Sequence, residues 1–402
     1  MSYYNQLNIG LFGFGVVGEG IYKVLEQKPQ LHATIKKICI KHPEKDRNAP
    51  AELFTTDADD ILNDKTIDVV VELINDAAAA MDITRKAMNS GKSVVSANKK
   101  MIAENMAELL DLQRKNKVSF LYEAAVCGSV PIIRNLEEYF DNDLLTSVSG
   151  IVNGSTNFIL SEMAGKKIPY LESLKKAQEL GFAETDPSLD VEGIDAAYKL
   201  SIILFHAFGL LIDYSQIIRK GIVSIDSFDF QYALEKRKTI KLVATTKWNS
   251  DNTLTAYVLP TFVNKNTVLS TVHNEYNGVL IGSTLADEQF LFGKGAGRYP
   301  TSSAVLSDIS ALKYDYKYAY KKSQRNQSVQ LKNEQNITVY ISFSKNEKID
   351  LDLFSEIHES FVGKERSYLI GDIPFQALVN SDFWRNEQFS IIANPAFTSG
   401  NE

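Results

Sequence analysis

The feature that most constrains the fold is a run of three glycines after an apolar segment near the start of the chain. Residues 7–13 (LNIGLFG) are typical of a buried strand, and residues 16–27 have the apolar spacing of an amphipathic helix. The junction is a GxGxxG motif made of Gly13, Phe14, Gly15, Val16, Val17 and Gly18. At such a junction one glycine makes a tight turn, one lets the backbone approach a pyrophosphate, and one lets the helix pack on the strand. The motif therefore predicts a dinucleotide-binding βαβ unit.

Strand-like and helix-like segments alternate through the N-terminal part of the chain. Apolar strand-like segments recur at 35–40, 67–74, 93–97 and 118–125, with helical patterns between them. This alternation predicts an α/β fold with a Rossmann-type, doubly wound parallel sheet. We expect a dinucleotide-binding domain over 1–130, completed by a returning helix at about 296–318.

The pattern changes after residue 130, where long helical segments are followed by period-two strand signals over 240–293. We interpret 131–295 as an α+β domain with a mixed sheet, used for substrate binding and dimerisation. Polar sequence over 316–335 predicts a linker. Residues 336–402 predict a small C-terminal α/β module, in which LDLFSEIHESF is expected to be a helix.

Charge and cysteine content exclude several classes of protein. The formal net charge of -7 argues against a nucleic-acid partner. Cys39 and Cys127 are far apart in sequence, which argues against a disulfide framework and for a reducing compartment. We find no signal-peptide pattern, and the longest apolar run, 200–212, is too short to span a membrane. We expect a cytoplasmic protein with no membrane association.

The residues after the second predicted strand bear on the choice between NAD and NADP. An acid there would bind the ribose hydroxyls of NAD, whereas a basic residue would accommodate the 2′-phosphate of NADP. The sequence is ICIKHPEKDR, with Lys41 and His42 at that place. NADP is slightly favoured, although a solvated basic loop explains the same residues equally well.

Two further segments are candidates for cofactor contact. Asn98 and Lys99 follow a predicted strand, at the carboxyl edge where open α/β sheets bind ligands, so Lys99 is a candidate charge near the reacting groups. The segment LFGKGAGRYP has three closely spaced glycines, which suggests a backbone that passes close to a ligand at Gly297. A simple strand-to-helix loop is the alternative for the second segment.

A cluster of acids precedes a helix that is otherwise apolar. The stretch 181–209 carries Glu184, Asp186, Asp190, Glu192 and Asp195, followed by Lys199. Asp195 and Lys199 are four residues apart and share a helical face, a spacing usually found in modest surface salt bridges. Here the helix continues as apolar sequence, and a buried lysine is costly unless it is paired. We therefore favour a site over a solvated face, and we interpret His206 as a core histidine.

A shorter polar segment precedes another apolar helix. In GIVNGSTNFIL, Thr156 is a candidate ligand contact, although helix capping explains Ser155 or Thr156 equally well.

Together these segments resemble the homoserine dehydrogenase family. The matching stretches are GLFGFGVVG, SANK, YEAAVCGSVPII, GIVNGSTNFIL, GFAETDPSLDVEGIDAAYK and GKGAGRYPTSSAVLSD, in the family's order over roughly 7–310. The resemblance implies NAD(P)-dependent interconversion of L-homoserine and L-aspartate 4-semialdehyde, on the route from aspartate to threonine and methionine. It also implies a homodimer that acts on a small amino-acid substrate.

The resemblance also implies roles for particular residues. Lys199 resembles the family's proton-transfer lysine, Asp195 the acid that accompanies it, and Lys99 a second active-site lysine. Glu184 and Asp190 resemble the carboxylates that bind the amino acid. A loop resembling the site of a structural monovalent cation, such as sodium, contains Glu123, Val126, Gly128 and Val130. A carboxylate with backbone carbonyls suits such a hard cation.

The chain departs from the family pattern at three places. Asn75 and Asp76 stand where glycines are usual, and Cys127 and Ser129 stand where small residues are common. The tail has the size of a degenerate ACT-like module but lacks the glycine-bearing loop after its first strand, which leaves threonine regulation open. Two alternatives also stay open: a non-catalytic, cofactor-binding regulatory relative, and an NADP-dependent dehydrogenase of another amino alcohol.

Overall fold

The computed structural model describes residues 6–142, 144–249, 251–326 and 328–395. The chain divides into two compact units. Unit 1 comprises Met1–Asp143, Ser201–Asp213 and Gly293–Asn326. Unit 2 comprises Leu144–Leu200, Tyr214–Phe292 and Gln327–Glu402.

The strands and helices alternate in the N-terminal part and become mainly strands in the C-terminal part. The strands are β1 (Leu7–Phe12), β2 (Ala33–Cys39), β3 (Phe54–Thr55), β4 (Val69–Glu72), β5 (Ser93–Ser96), β6 (Phe120–Leu121), β7 (Leu145–Ile151), β8 (Ile218–Arg219), β9 (Lys238–Trp248), β10 (Thr253–Asn264), β11 (Tyr276–Ser283), β12 (Asp287–Lys294), β13 (Gln330–Leu331), β14 (Asn336–Ser344), β15 (Glu356–Val362), β16 (Arg366–Pro374) and β17 (Phe389–Ala393). The helices are α1 (Val16–Gln27), α2 (Asp59–Leu62), α3 (Ala77–Asn89), α4 (Lys99–Asn116), α5 (Ile132–Arg134), α6 (Gly154–Lys166), α7 (Tyr170–Glu179), α8 (Ser188–Val191), α9 (Ile194–Phe208), α10 (Ser227–Glu235), α11 (Arg298–Leu312), α12 (Lys321–Arg325), α13 (Phe375–Asn380) and α14 (Asp382–Arg385).

Unit 1 is built on a six-stranded parallel sheet with the order β3-β2-β1-β4-β5-β6. Its central strands are buried over nearly their whole length, as strands covered by helices on both faces must be. The order reverses between β1 and β4, and the crevice beyond their carboxyl ends is where such sheets bind nucleotides. The predicted Rossmann-type, doubly wound sheet is confirmed.

Helix α11 packs against α1, the first helix of unit 1. The Ser302 hydroxyl on α11 donates to the Val17 carbonyl on α1 at 3.1 Å. Arg298 forms an ion pair with Glu19, with Nη2 and Oε2 2.9 Å apart. Helix α11 therefore packs in the same unit as the glycine motif although it is nearly 300 residues away in sequence.

Unit 2 is built on an eleven-stranded sheet whose main order is β12-β11-β7-β9-β10-β17-β14-β16-β15, with β13 and β8 paired to β10. Most neighbours are antiparallel, while β17, β13 and β8 run parallel to β10, so the sheet is mixed as predicted. Strands β14 to β17 continue this sheet. Apolar side chains of β14, β16 and β17 pack with those of α13 and α14 into one core cluster, which includes Ile341, Ile373, Leu378, Phe383 and Ile391.

The predicted helix LDLFSEIHESF is wrong. Its second half is the edge strand β15, preceded by a short turn over Leu351–Leu353. Leu351, Phe354, Ile357 and Phe361 have helical spacing, but a helix would need to bury that face. Ile357 and Phe361 are instead 43% and 46% exposed, and pairing with the nine-residue strand β16 supplies the backbone partners.

The segment predicted as a linker, 316–335, carries helix α12 and strand β13. Tyr318 and Lys322 in it are buried, at 1% and 4% exposed, so much of the segment is packed rather than solvated. Over the described residues, no helix combines the length and the apolar character that crossing a bilayer would need.

Candidate active site

The three glycines of the GxGxxG motif meet different surroundings. Gly13 has φ +93, and a Cβ there would lie 2.9 Å from the Leu73 carbonyl oxygen. A Cβ on Gly18 would lie 2.4 Å from the Gly13 carbonyl oxygen, so the turn and the helix could not approach each other. A Cβ on Gly15 would meet no atom within 4 Å. Gly15 begins α1 without a side-chain cap, which leaves the first amides of the helix available to a phosphate.

The end of β2 offers cations and an aromatic surface. Lys41 and His42 are exposed, and His42 Nδ1 lies 3.2 Å from Glu44 Oε1. The Phe14 ring of the glycine motif packs edge-on against Phe54, with ring centres 5.2 Å apart. This arrangement can accept a negatively charged group on a ribose.

A buried carboxyl group lies at the carboxyl edge of β4, and no local sequence pattern distinguishes it. Glu72 is fully buried; its Oε2 accepts a hydrogen bond from the Ser96 hydroxyl at 2.6 Å and its Oε1 from the Ile74 amide at 2.7 Å. Burial raises the pKa of Glu72 to about 7. The side chain links the carboxyl ends of β4 and β5 through its hydrogen bond from Ser96.

The same edge positions Lys99. Asn98 caps α4 by accepting a hydrogen bond from the Met101 amide, and its Nδ2 donates to the Ile74 carbonyl at 3.0 Å. Lys99, the first residue of α4, is half-buried, whereas Lys100 is exposed. Lys99 lies in unit 1, whereas Lys199 lies in unit 2.

Asp76, one of the departures from the family pattern, has a structural role. Its Oδ1 accepts hydrogen bonds from the Ala78 and Ala79 amides, both at 3.0 Å, and so caps α3. Gly297 caps α11 with φ +119, a conformation that favours glycine.

The acid–lysine pair predicted on α9 is present and buried. Lys199 is 8% exposed and Asp195 is 3% exposed. The Lys199 amine lies 2.8 Å from Asp195 Oδ2 and donates to the Val152 carbonyl oxygen at 2.7 Å. The amine is thus held by one charged and one neutral acceptor, which fixes its direction.

Asn153, which sequence reasoning missed, joins the acids of this cluster. Its Nδ2 donates to Asp190 Oδ1 at 2.6 Å and to Asp195 Oδ2 at 2.8 Å. Its Oδ1 accepts from the Thr156 amide at 2.8 Å, which makes Asn153 the cap of α6. Burial and the neighbouring Asp195 charge raise the pKa of Asp190.

A second missed residue lies behind the lysine. Asn277 on β11 is fully buried, and its Nδ2 donates to the Val152 carbonyl oxygen at 3.1 Å. The same carbonyl therefore accepts from Asn277 and from Lys199. Residues 152 and 277 meet because β11 pairs with β7, which no local sequence pattern reveals.

The remaining predicted substrate residues lie in different settings. The Thr156 hydroxyl is 1% exposed and lies 3.0 Å from Asn153 Oδ1, to which it donates. Glu184 is exposed on the segment between α7 and α8. Asp186 Oδ1 accepts from the Ser188 amide and hydroxyl, which lowers the pKa of Asp186 and agrees with a capping role. The structure thus groups Asp190, Asp195 and Lys199 tightly and leaves Glu184 at the surface of unit 2.

The predicted cation loop in unit 1 contains a buried carboxyl group and a strained turn. Glu123 is 3% exposed and accepts from the Ile133 and Arg134 amides at 2.8 and 2.9 Å. Burial, followed by the charge of Asp308, raises the pKa of Glu123 to about 7. A bound cation would favour the charged form of this group.

The turn of that loop suits ligation by carbonyl groups. Cys127 and Gly128 have φ +56 and +55, and a Cβ on Gly128 would lie 2.4 Å from the Gly295 carbonyl oxygen. The backbone carbonyls of Val126, Gly128 and Val130, together with the Glu123 carboxyl group, are oxygen donors of the type that a hard cation prefers.

Comparison with known proteins identifies the family. A family model described as the homoserine dehydrogenase NAD binding domain matches residues 13–123, and one described as homoserine dehydrogenase matches residues 131–310. The homoserine dehydrogenase of Bacillus subtilis is 38% identical over 315 residues, which are 76% of this chain and 72% of the relative. That of Neisseria gonorrhoeae is 38% identical over 311 residues, 75% of this chain and 71% of the relative.

A solved structure extends the similarity to nearly the whole chain. The homoserine dehydrogenase of Thiobacillus denitrificans has a TM-score of 0.85 at 27% identity and covers 96% of this chain and 98% of its own. The matched residues include the glycine motif and the acid–lysine cluster, since the two family models together span 13–123 and 131–310. On this agreement of sequence and fold, the chain belongs to the homoserine dehydrogenase family.

Proposed function

We propose that Lys199 transfers the proton in the family's reaction, the NAD(P)-dependent interconversion of L-homoserine and L-aspartate 4-semialdehyde. The observation that carries this role is the buried Lys199 amine, 2.8 Å from Asp195 Oδ2 and 2.7 Å from the Val152 carbonyl oxygen. The nicotinamide group, when bound, supplies the hydride chemistry. Oxidation of the alcohol also releases the hydroxyl proton, which the Lys199 amine accepts. In reduction the Lys199 ammonium returns that proton to the developing alkoxide oxygen.

Asp195 orients the lysine, and Lys99 is the second lysine that we propose to act near the reacting groups. Asn153 contacts the same oxygen of Asp195 as the lysine does, since its Nδ2 donates to Asp195 Oδ2 at 2.8 Å. Removing a proton acceptor from solvent and fixing its direction are what proton transfer to a bound substrate requires.

The substrate's ammonium group needs carboxylate acceptors, and we assign Asp190 and Glu184 to this role. We also assign Thr156, whose hydroxyl donates to Asn153, to substrate binding. Asp190 is held by the same Asn153 amide as Asp195, at 2.6 Å. The Asp190 carboxylate can therefore balance the charge of a bound cation. A substrate ammonium would supply it.

We assign cofactor binding to Gly13, Phe14, Gly15, Val16, Val17 and Gly18, with Lys41, Lys99 and Gly297. NADP is favoured over NAD because exposed Lys41, rather than an acid, follows β2. A Lys41→Glu variant should raise KM for NADP and lower KM for NAD. Unchanged preference in that variant would remove Lys41 from this role.

Four further assignments follow the same family reasoning. A monovalent cation such as sodium is held by Glu123, Val126, Gly128 and Val130, where it stabilises the loop rather than reacting. The working form is a cytoplasmic homodimer. Residues 1–130 with about 296–318 bind the dinucleotide, 131–295 bind substrate and form the dimer, and 336–402 form a C-terminal module.

One assay tests the proposal against its alternatives. Purified protein is given L-homoserine with NAD and with NADP, and then other amino alcohols, and nicotinamide absorbance is followed. Turnover with homoserine that Lys199→Ala abolishes supports the assignment. If the protein binds NADP tightly but turns over none of these alcohols, it is the non-catalytic regulatory relative. If it turns over another amino alcohol but not homoserine, its substrate is different. Near-wild-type kcat in Lys199→Ala would remove the proton-transfer role.

A further inference from the structure

Three potential metal ligands meet at the outer edge of the unit 2 sheet. Glu356 and His358 lie on the edge strand β15, and Asp372 lies on the neighbouring strand β16. Glu356 is directly opposite Asp372 in the antiparallel register. The register shifts between Ile357 and Glu359, so His358 is the extra residue of a β-bulge. A bulge re-aims a side chain, and here it brings an imidazole to a pair of carboxylates.

The three side chains are close enough to share one ion. His358 Nδ1 lies 3.7 Å from Glu356 Oε1, and His358 Nε2 lies 3.2 Å from Asp372 Oδ1. One ligand atom from each residue lies within 4.8 Å of the other two. The side chains of His358 and Asp372 are 15% and 26% exposed, whereas that of Glu356 is 69% exposed. The inner part of the cluster, made of His358 and Asp372, is therefore shielded, and the side of Glu356 is open to water.

The charges of this cluster are poorly balanced without a further cation. Two carboxylates directly opposite each other in a sheet destabilise the strand pair. Within the described ranges, neither Glu356 nor Asp372 has a lysine or arginine at ion-pair distance. The backbones of the two strands are close at this point, because a Cβ on Gly371 would lie 2.5 Å from the Glu356 carbonyl oxygen and only glycine avoids that contact.

Asp372, in the inner part of the cluster, is oriented by a neighbouring side chain. The Thr338 hydroxyl on β14 donates to Asp372 Oδ1 at 2.5 Å. Metal-binding carboxylates are commonly fixed by such outer hydrogen bonds. The oxygen oriented in this way, Asp372 Oδ1, is also the one that lies 3.2 Å from His358 Nε2.

We propose that Glu356, His358 and Asp372 bind one divalent transition-metal ion of the zinc type. One imidazole nitrogen and two carboxylate oxygens suit such ions, and water on the open side completes a four-coordinate shell. The ion replaces the repulsion between the opposed carboxylates with bonds that join β15 to β16. It therefore stabilises the edge of the sheet, and it takes no part in the dehydrogenase reaction.

The test is calorimetric titration of the full-length, chelator-treated protein with Zn²⁺. Wild type should bind one ion, and His358→Ala should weaken binding at least tenfold. Affinity should also decrease as the pH falls, because metal ligands must be deprotonated. Glu356→Gln changes an exposed side chain, so it should fold normally and still weaken binding.

The matched control is His42→Ala. His42 also lies beside one glutamate, with Nδ1 3.2 Å from Glu44 Oε1, but among the residues that the structure describes no third ligand completes a group there. This variant should keep the calorimetric stoichiometry and affinity of wild type. A second readout is Co²⁺, whose visible absorption should appear in wild type and in His42→Ala but not in His358→Ala.

Two results would overturn the proposal. One is wild-type affinity for Zn²⁺ weaker than about 1 mM, and the other is equal affinity in wild type, His358→Ala and Glu356→Gln. The cluster would then be an ion-pair bridge in which His358 alone links the two carboxylates.

Discussion

Two lysines of unit 2 are buried to a similar degree and differ in what their amines contact. Lys199 is 8% exposed and lies 2.8 Å from the Asp195 carboxylate. Lys241, on β9, is 2% exposed and donates to Asn157 Oδ1 at 2.9 Å and to the Val272 carbonyl oxygen at 2.6 Å. Both acceptors of Lys241 are neutral. Within the described residues it has no carboxylate at ion-pair distance.

This difference separates two uses of a buried amine. Burial without an acid lowers the pKa of Lys241 to about 8. Asn157 also donates to the carbonyls of Val272, Asn274 and Tyr276, so Lys241 and Asn157 together clamp the segment that enters β11. Burial alone therefore does not identify a proton-transfer lysine. Lys199 differs from Lys241 by its neighbouring acids and by the Asn153 amide that contacts them, and its proton-transfer role stays a prediction.

The largest expected effect comes from changing the two lysines in parallel. Lys199→Met should lower kcat for homoserine oxidation by about 10³-fold, because the proton acceptor is lost. Lys241→Met should keep kcat within about threefold of wild type, since Lys241 touches none of the proposed site residues. Steady-state kinetics of both variants check this. An equal loss of kcat in the two variants would break the distinction drawn between the lysines.

Asn153, beside Asp195, and Asn157, beside Lys241, should differ in the same way as the two lysines. Asn153→Ala leaves Asp190 and Asp195 without their shared donor, and kcat/KM should fall by roughly 30-fold, as expected for hydrogen bonds to charged groups. Asn157→Ala should mainly lower the free energy of unfolding, by about 2 kcal/mol, because buried carbonyls lose their donor. Kinetics and urea unfolding measured on both variants give the comparison. The prediction fails if Asn157→Ala lowers kcat/KM more than Asn153→Ala.

Asn277 links the active-site lysine to the sheet. Asn277→Ala removes the second donor to the Val152 carbonyl, so the Lys199 amine should be less well oriented. We expect kcat to fall by about tenfold with little change in KM for homoserine, since geometry at the proton-transfer step is affected most. A rise in KM at constant kcat would instead mean that Asn277 serves substrate binding.

The smallest predicted effect is a pH dependence of stability that comes from Lys241. Its pKa is lowered on folding, from 10.5 to about 8, so above pH 8 the unfolded chain binds more protons than the folded one. Stability relative to Lys241→Met should therefore rise with pH, by about 1 kcal/mol between pH 7.5 and 9. Urea unfolding of both proteins at the two pH values measures it. A difference that shrinks as the pH rises would have the wrong sign.

The parts of the fold that sequence reasoning predicted are those with a local pattern. The glycine motif after an apolar run predicted β1 and α1, and the spacing of Asp195 and Lys199 predicted one face of α9. Each pattern lies within a few residues and follows from the geometry of a single helix or turn.

The parts it missed depend on pairing between distant segments. Asn277 meets the Val152 carbonyl only because β11 pairs with β7, and Glu72 looked like one more residue of a buried strand. Strand β15 was predicted as a helix because its apolar residues have helical spacing, and only its pairing with β16 decides otherwise. The placement of Lys99, Glu184 and the cation loop in the working site stays a prediction.

In the glycine motif, the residues that folding requires can be distinguished from the residue that dinucleotide binding requires. Substitution at Gly13 or Gly18 would bring a Cβ within 3 Å of backbone atoms, so folding itself resists the change. Substitution of Gly15 by alanine meets no atom within 4 Å and needs no unusual backbone angle, since φ there is -85. A library of variants selected only for folding should retain Gly13 and Gly18 and should accept other residues in place of Gly15. A library selected for dehydrogenase activity should retain all three, and the difference between the two libraries would record what the dinucleotide alone requires.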